Sequence, residues 1–274
     1  MVTPSTLGYG LELLLTKFDI ISSKLQGMEV KLQSVEDKVQ RIEDKLQGVE
    51  DKQTNENLKS LTVDGSSCKN VPSKLSGTYL IRVKNNSEPF EVYCEQKSFG
   101  GGWIVFQFRY DGSEDFYRGW NEFRDGFGDV NDEFWLGLEK VHQITNGRKH
   151  ELIVELKDFS GTYKYARYDA FEIGSESEQY VLKELGKHTG TTGDAMFYNS
   201  KGRKFSAKDR DIDESSYFHC AQYLEGAWWH STCTLSHLNG RYMTSQICDV
   251  MFWRHFQGDC QVLSYSRMMI RELE

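Results

Sequence analysis

The run Asp209-Arg210-Asp211-Ile212-Asp213 sets three carboxylates at alternate positions of one short segment. Carboxylate oxygens gathered this closely are the hard donors that calcium takes. An EF-hand loop is excluded by position, since its turn glycine falls on Glu214 and its bidentate glutamate on Cys220. On spacing alone the run reads first as a solvated acidic loop. Just beyond it, CAQYLEGAWWHSTC encloses the pair Trp228-Trp229 between Cys220 and Cys233. That stretch is either a packed knot or the wall of a binding site.

The cysteines are the other reactive groups, at positions 68, 94, 220, 233, 248 and 260. None forms a C-x-x-C pair, which argues against a zinc ribbon or a thioredoxin-like motif. The shortest loops pair Cys68 with Cys94, Cys220 with Cys233, and Cys248 with Cys260. This is one choice among many connectivities, and two free buried thiols are the alternative for the last pair. Disulfides place the protein in an oxidising compartment. His142, His150 and His188 are scattered without metal-ligand spacing, and no G-x-S-x-G, H-E-x-x-H or P-loop pattern occurs. The reading is therefore a non-enzyme. A formal net charge of −8 argues against nucleic-acid and anionic-membrane partners.

Two kinds of element must carry these residues. From Leu11 to Val49 the apolar residues step by three and four: Leu11, Phe18, Leu25, Leu32, Val39 and Leu46 at a, with Leu14, Ile21, Met28, Val35, Ile42 and Val49 at d. Six unbroken heptads predict a coiled coil, with a rod about 60 Å long. Its g positions are lysine from Lys17 to Lys52, and Glu29, Glu36, Glu43 and Glu50 occupy e. A parallel coil sets Lys24 against Glu29 and Lys31 against Glu36, whereas an antiparallel one opposes like charges. Leucine at a with Val, Ile or Met at d favours trimers or tetramers.

The segments are thus 1–10 as an N-terminal piece, 11–52 as the oligomerisation stalk, 53–67 as a polar linker and 68–274 as a globular head. In the head, short runs such as ELIVELKDF alternate with Gly and Asn/Asp turns, while EQYVLKELGK is a candidate helix. The fold class is α+β. The first residues lack a basic start and an uninterrupted apolar core, so they read as a mature or truncated terminus with no membrane span. Asn85-Asn86-Ser87 is the single glycosylation sequon.

Several stretches of the head, in order, carry a resemblance: SGTYLI (76–81), PFEVYCE (89–95), GGGWIVFQFRYDGSEDFYRGWNEFRDGFG (100–128), EFWLGLEKVHQIT (133–145), KFSAKDRDID (204–213), GAWWHSTC (226–233), LNGRY (238–242) and MMIR (268–271). Together they resemble the fibrinogen-related domain, the C-terminal module of fibrinogen chains, ficolins, angiopoietins and tachylectins. The resemblance implies a three-lobed head without catalytic activity, with a calcium site and a ligand pocket in its C-terminal lobe. It assigns calcium to the side chains of Asp211 and Asp213 and to backbone carbonyls near Ser215 and Tyr217. Six residues, ESSYFH, separate Asp213 from Cys220 where relatives commonly carry five, so the carbonyl assignments can shift by one.

In lectin-type relatives the pocket receives an acetyl group, its methyl among aromatic side chains and its carbonyl on backbone donors. The matching positions here are Leu224, His230, Cys233, Thr234, Tyr242, Trp253 and Gln261. Leu224 replaces an expected tyrosine, Thr234 stands where His or Ser is common, and Gln261 replaces another tyrosine. A lost stacking ring weakens a sugar contact by about 1 kcal/mol. The second aromatic of a W-x-x-W-x-G motif is Phe256. The resemblance thus implies a secreted, calcium-supported, multivalent lectin that recognises acetylated groups on microbial surfaces in innate immunity, with heads multiplied by the stalk for avidity. The alternative is an angiopoietin-like extracellular ligand whose head binds a receptor protein.

Overall fold

The computed structural model describes residues 67–72, 74–84, 87–244, 250–257 and 261–273, together with Lys17, Met28, Leu32, Val39 and Gln40. The chain divides into two compact units, residues 1–60 and 61–274. In the first unit the five described residues are all helical, and Met28, Leu32 and Val39 are exposed on the single chain. The rest of the heptad run, nearly all of the linker, the sequon asparagines, and Cys248 and Cys260 lie outside the described residues.

The second unit is rich in strands, with few and short helices. In chain order its elements are β1 (Gly77–Ile81), β2 (Phe90–Glu95), β3 (Trp103–Arg109), α1 (Trp120–Asp125), β4 (Phe127–Gly128), β5 (Phe134–Trp135), α2 (Leu138–Thr145), β6 (His150–Asp158), β7 (Tyr163–Tyr168) and β8 (Phe171–Ile173). There follow β9 (Leu182–Leu185), β10 (His188–Gly190), α3 (Phe197–Ser200), α4 (Cys220–Tyr223), β11 (Ser236–His237), β12 (Phe252–Trp253) and β13 (Gln261–Glu272).

The main sheet runs β1-β2-β3-β13-β6-β7-β10 and is antiparallel throughout. The last strand of the chain is therefore central, hydrogen-bonded to β3 on one side and to β6 on the other. WIVF in β3 and ELIVEL in β6 are buried nearly without alternation, because both faces of the sheet are covered at its centre. A register shift against β3 falls between Met268 and Met269, in a run where both methionines and Ile270 are buried.

The candidate helix EQYVLKELGK is instead a strand. Gln179 and Tyr180 sit at φ 60° and 45°, where a right-handed helix cannot continue. Leu182 and Leu185 pair with Ile173 and Phe171 of β8 across a register shift. That irregularity gives the i, i+3 apolar spacing that imitates a helix stripe.

Two disulfides form among the described cysteines, Cys68–Cys94 and Cys220–Cys233, with Cα separations of 5.5 and 5.3 Å. The first ties the start of the head to β2. The second closes the segment that carries Trp228 and Trp229, both fully buried. Trp229 packs on Phe205 and Trp135 and donates its indole N–H to the Tyr180 carbonyl at 2.8 Å. Buried polar side chains fasten this loop-rich region to the sheet. Gln107 of β3 donates to the Leu238 carbonyl at 3.0 Å and Arg109 to the Gly240 carbonyl at 2.9 Å.

Candidate functional site

The acidic run sits on a loop anchored by reciprocal backbone hydrogen bonds between Ser206 and Trp228, at 2.9 and 3.1 Å. Its three carboxylates part company there. Asp209 Oδ1 accepts the Trp120 amide at 2.8 Å, capping the start of α1, and Arg210 lies 3.9 Å above the Trp120 ring. Asp209 is thus a strut for a distant helix. Replacing it with alanine is expected to destabilise the head by about 1 kcal/mol while leaving metal affinity unchanged, read by urea unfolding and calcium titration.

Asp211 and Asp213 stay together. Asp213 Oδ1 accepts the Ser215 amide and Oδ2 the Cys220 amide, both at 2.8 Å. Burial, opposed by those two amides and reinforced by the neighbouring Asp211 carboxylate, raises the Asp213 pKa above its ordinary value. A half-buried carboxylate beside a second one is a place that a cation relieves. Among the described residues no backbone amide donates to the carbonyls of Ser215 or Tyr217. Two neighbouring carboxylates on a loop that also carries the carbonyls of Ser215 and Tyr217 are oxygen donors of the kind calcium takes. Reading from sequence did not single out His219, whose imidazole completes this cluster: one ligand atom each from Asp211, Asp213 and His219 lie within 4.8 Å of one another. The signal was the histidine at the end of ESSYFH, the loop with one residue more than usual.

The seven expected pocket residues differ in burial and in what their polar groups do, and of them only Tyr242 lines one of the described cavities. Leu224 and Trp253 are buried, His230 is almost fully buried, and Cys233, Thr234, Tyr242 and Gln261 are half-buried. His230 Nε2 donates to the Gly226 carbonyl at 3.1 Å, Trp253 Nε1 to the Gly193 carbonyl at 2.9 Å, and Thr234 Oγ1 to the Ser236 carbonyl at 2.7 Å. Tyr242 donates towards the carbonyls of Tyr110 and Ser264 at 2.7 and 3.1 Å, and Gln261 Nε2 reaches Asp158 at 3.5 Å. Strand pairing joins Trp253 to both Ser236 and Gln261. Much of the hydrogen-bonding capacity of these side chains is already spent inside the protein. Gly112 is required beneath Tyr242: at φ 78°, a Cβ there would stand 2.6 Å from the ring.

What faces solvent near the Asp211–Asp213 loop is aromatic. Tyr217 is 89% exposed, Tyr223 63% and Phe218 53%. Phe218 and Tyr223 hold their rings 4.9 Å apart. Ser215 Oγ fixes the turn that presents them, accepting the amides of Tyr217 and Phe218 at 3.3 and 3.1 Å. A cleft of about 300 Å³ is lined by Arg109, Glu114, Asp115, Glu225, Arg241 and Tyr242, among others. No helix among the described residues is long and apolar enough to cross a membrane.

Comparison with known proteins matches residues 62–273 to the family described as "Fibrinogen beta and gamma chains, C-terminal globular domain". Angiopoietin-1 of Homo sapiens is 41% identical over 203 residues, 73% of this chain and 40% of that protein. Fibrinogen C domain-containing protein 1 of Homo sapiens is 40% identical over 203 residues, 71% of this chain and 43% of that protein. The chain spans less than half the length of either relative. Among solved structures, the fibrinogen-like globe domain of human ANGPTL6 superposes with a TM-score of 0.72 at 37% identity, covering 77% of this chain and 96% of that one.

Proposed function

Since the chain belongs to the family of the fibrinogen C-terminal globular domain, we propose that it is a non-enzymatic, angiopoietin-like extracellular ligand whose calcium-loaded head docks on a receptor protein. The observation that carries this reading is the exposure of Tyr217 and Phe218, on the loop that follows Asp213, and of Tyr223, whose ring lies 4.9 Å from that of Phe218. Aromatic side chains left in water cost free energy unless a partner covers them, and they are the usual anchors of protein interfaces. Calcium bound by Asp211 and Asp213 would stiffen the loop between Asp213 and Cys220 that presents them. Similarity to angiopoietin-1 and to the ANGPTL6 head supports the same reading, and the two disulfides suit an oxidising, extracellular setting.

The heptad run 11–52 multiplies the heads as a parallel trimer or tetramer. Met28, Leu32 and Val39, at d and a positions, are exposed on the single chain and need partner helices to cover them. Recognition of acetylated microbial glycans is the less favoured reading, because Leu224 and Gln261 stand where two rings would enclose the acetyl methyl.

Two arrays separate the readings. Calcium-loaded full chain is expected to stay silent on acetylated glycans and to bind a receptor ectodomain. Tyr223→Ala and Phe218→Ala should each weaken that binding about tenfold with unchanged melting temperature. Selective acetyl-sugar binding that survives Tyr223→Ala would overturn the proposal.

A further inference from the structure

We propose that the loop is a mixed nitrogen–oxygen metal site, in which His219 Nδ1 joins Asp211 and Asp213 to hold a first-row transition ion of the zinc class in competition with calcium. The inference rests on the metal-binding reading of this loop and changes its donor set. His219 Nδ1 is buried, makes no hydrogen bond, and lies 3.9 Å from Asp211 Oδ1. Two donors at that separation can both touch one ion with bonds of about 2.0–2.2 Å. Imidazole suits zinc, copper and nickel, whereas calcium and magnesium prefer oxygen alone. A histidine here therefore shifts preference towards the softer ions.

The backbone holds the imidazole in register. The His219 carbonyl accepts the Gln222 and Tyr223 amides at 3.0 and 2.8 Å. The next amide, that of Cys220, donates to Asp213 Oδ2 at 2.8 Å, and Cys220 is itself pinned by its disulfide to Cys233. Asp213 has both oxygens oriented by amides, the kind of support that ligating carboxylates receive in built metal sites. Asp211 remains exposed, which leaves an entry path and open coordination positions. The competing explanation is an ordinary His219–Asp211 ion pair, which would bind no transition ion.

Tag-free full chain is titrated calorimetrically with zinc and, separately, with calcium, and is loaded with one equivalent of copper(II) for electron paramagnetic resonance. Zinc should bind at one site, His219→Ala should weaken it at least about tenfold while calcium affinity holds, and Asp213→Asn should weaken both ions. The copper spectrum of the unaltered chain should show nitrogen coupling that His219→Ala removes, and an unaltered chain without nitrogen coupling overturns the inference even where a variant folds poorly. Zinc binding that is absent or indifferent to His219 overturns the inference and leaves the calcium reading standing. Zinc held through His219 in a chain that ignores calcium overturns calcium, and with it the competition, and leaves the mixed-donor site standing.

Discussion

Acidification from pH 7 towards pH 4 is expected to remove about 3 kcal/mol of stability from the head through His230 alone. Both His230 and His237 are buried with their rings 5.4 Å apart. Each spends its Nε2–H on a backbone carbonyl, His230 on Gly226 and His237 on Leu224. Each Nδ1 is buried without a partner, so a second proton would arrive where nothing accepts it. Burial accordingly pushes the His230 pKa down from 6.5 to about 4 and that of His237 well below 6.5. The Arg109 cation acts on His237 in the same direction, and a proton on either imidazole of the pair opposes one on the other. In the unfolded chain both imidazoles titrate near 6.5. Between that pH and the folded values the unfolded state binds more protons, and stability falls as pH falls. Carboxylates such as Glu95 and Asp158 have folded values lowered from 4.5 and 3.8, so their loss comes at lower pH. Urea midpoints measured from pH 7 to 4.5 should decline steadily, and His230→Met should remove about one proton's worth of slope, 1.4 kcal/mol per pH unit. A flat profile, or an unchanged slope in the variant, would refute the assignment. Leu224 and Gly226 flank the turn after Tyr223, so acid is also expected to loosen the proposed docking face.

How far these features could be read in advance depended on the range of the interactions behind them. ELIVELKDF announces β6 because apolar and β-branched residues over one short run specify an extended segment locally. The pairing of Cys68 with Cys94 and of Cys220 with Cys233 follows from short loops, and Asp211 with Asp213 from alternate spacing on a turn. Asp209 shares that spacing yet stands apart from the Asp211–Asp213 pair, because Trp120, 89 positions away in sequence, offers it an amide. No local pattern encodes that choice. The same holds for β13, whose central place depends on partners at positions 104–109 and 150–158. EQYVLKELGK shows the converse error: an apolar period of three to four arises from a register shift as readily as from a helix. His219 was legible only as a residue type, since its approach to Asp211 and Asp213 depends on where Cys220 is held.

The second large effect is expected at Glu133, where Glu133→Gln should cost about 3–5 kcal/mol. Glu133 Oε1 accepts the amides of Tyr110, Asp111 and Gly112 at 2.6, 2.9 and 2.9 Å, and Oε2 accepts that of Glu114 at 3.1 Å. One buried carboxylate thus shapes the whole 110–114 turn. Its counter-charge is Arg109, whose Nε lies 3.9 Å from Oε2 and whose guanidinium sits 3.9 Å over the Phe116 ring. Burial lowers the Arg109 pKa to about 10, with Glu133 opposing the shift, so the cation persists at neutral pH. A glutamine keeps one acceptor but turns its –NH₂ towards the Glu114 amide, setting donor against donor and leaving Arg109 without its anion. Arg109→Met should be comparably destabilising, because it leaves the carboxylate as an unpaired buried charge. The double variant should lose less than the sum of the two, as coupled neighbours do. Denaturant midpoints of all four proteins close this cycle, and additivity within about 0.5 kcal/mol would show that the two side chains act independently. The turn also borders the cleft lined by Tyr242, and Gly112 lies against the Tyr242 ring. Weakening Glu133 should therefore shift the fluorescence of that face before global unfolding, which a purely local loss of hydrogen bonds would not do.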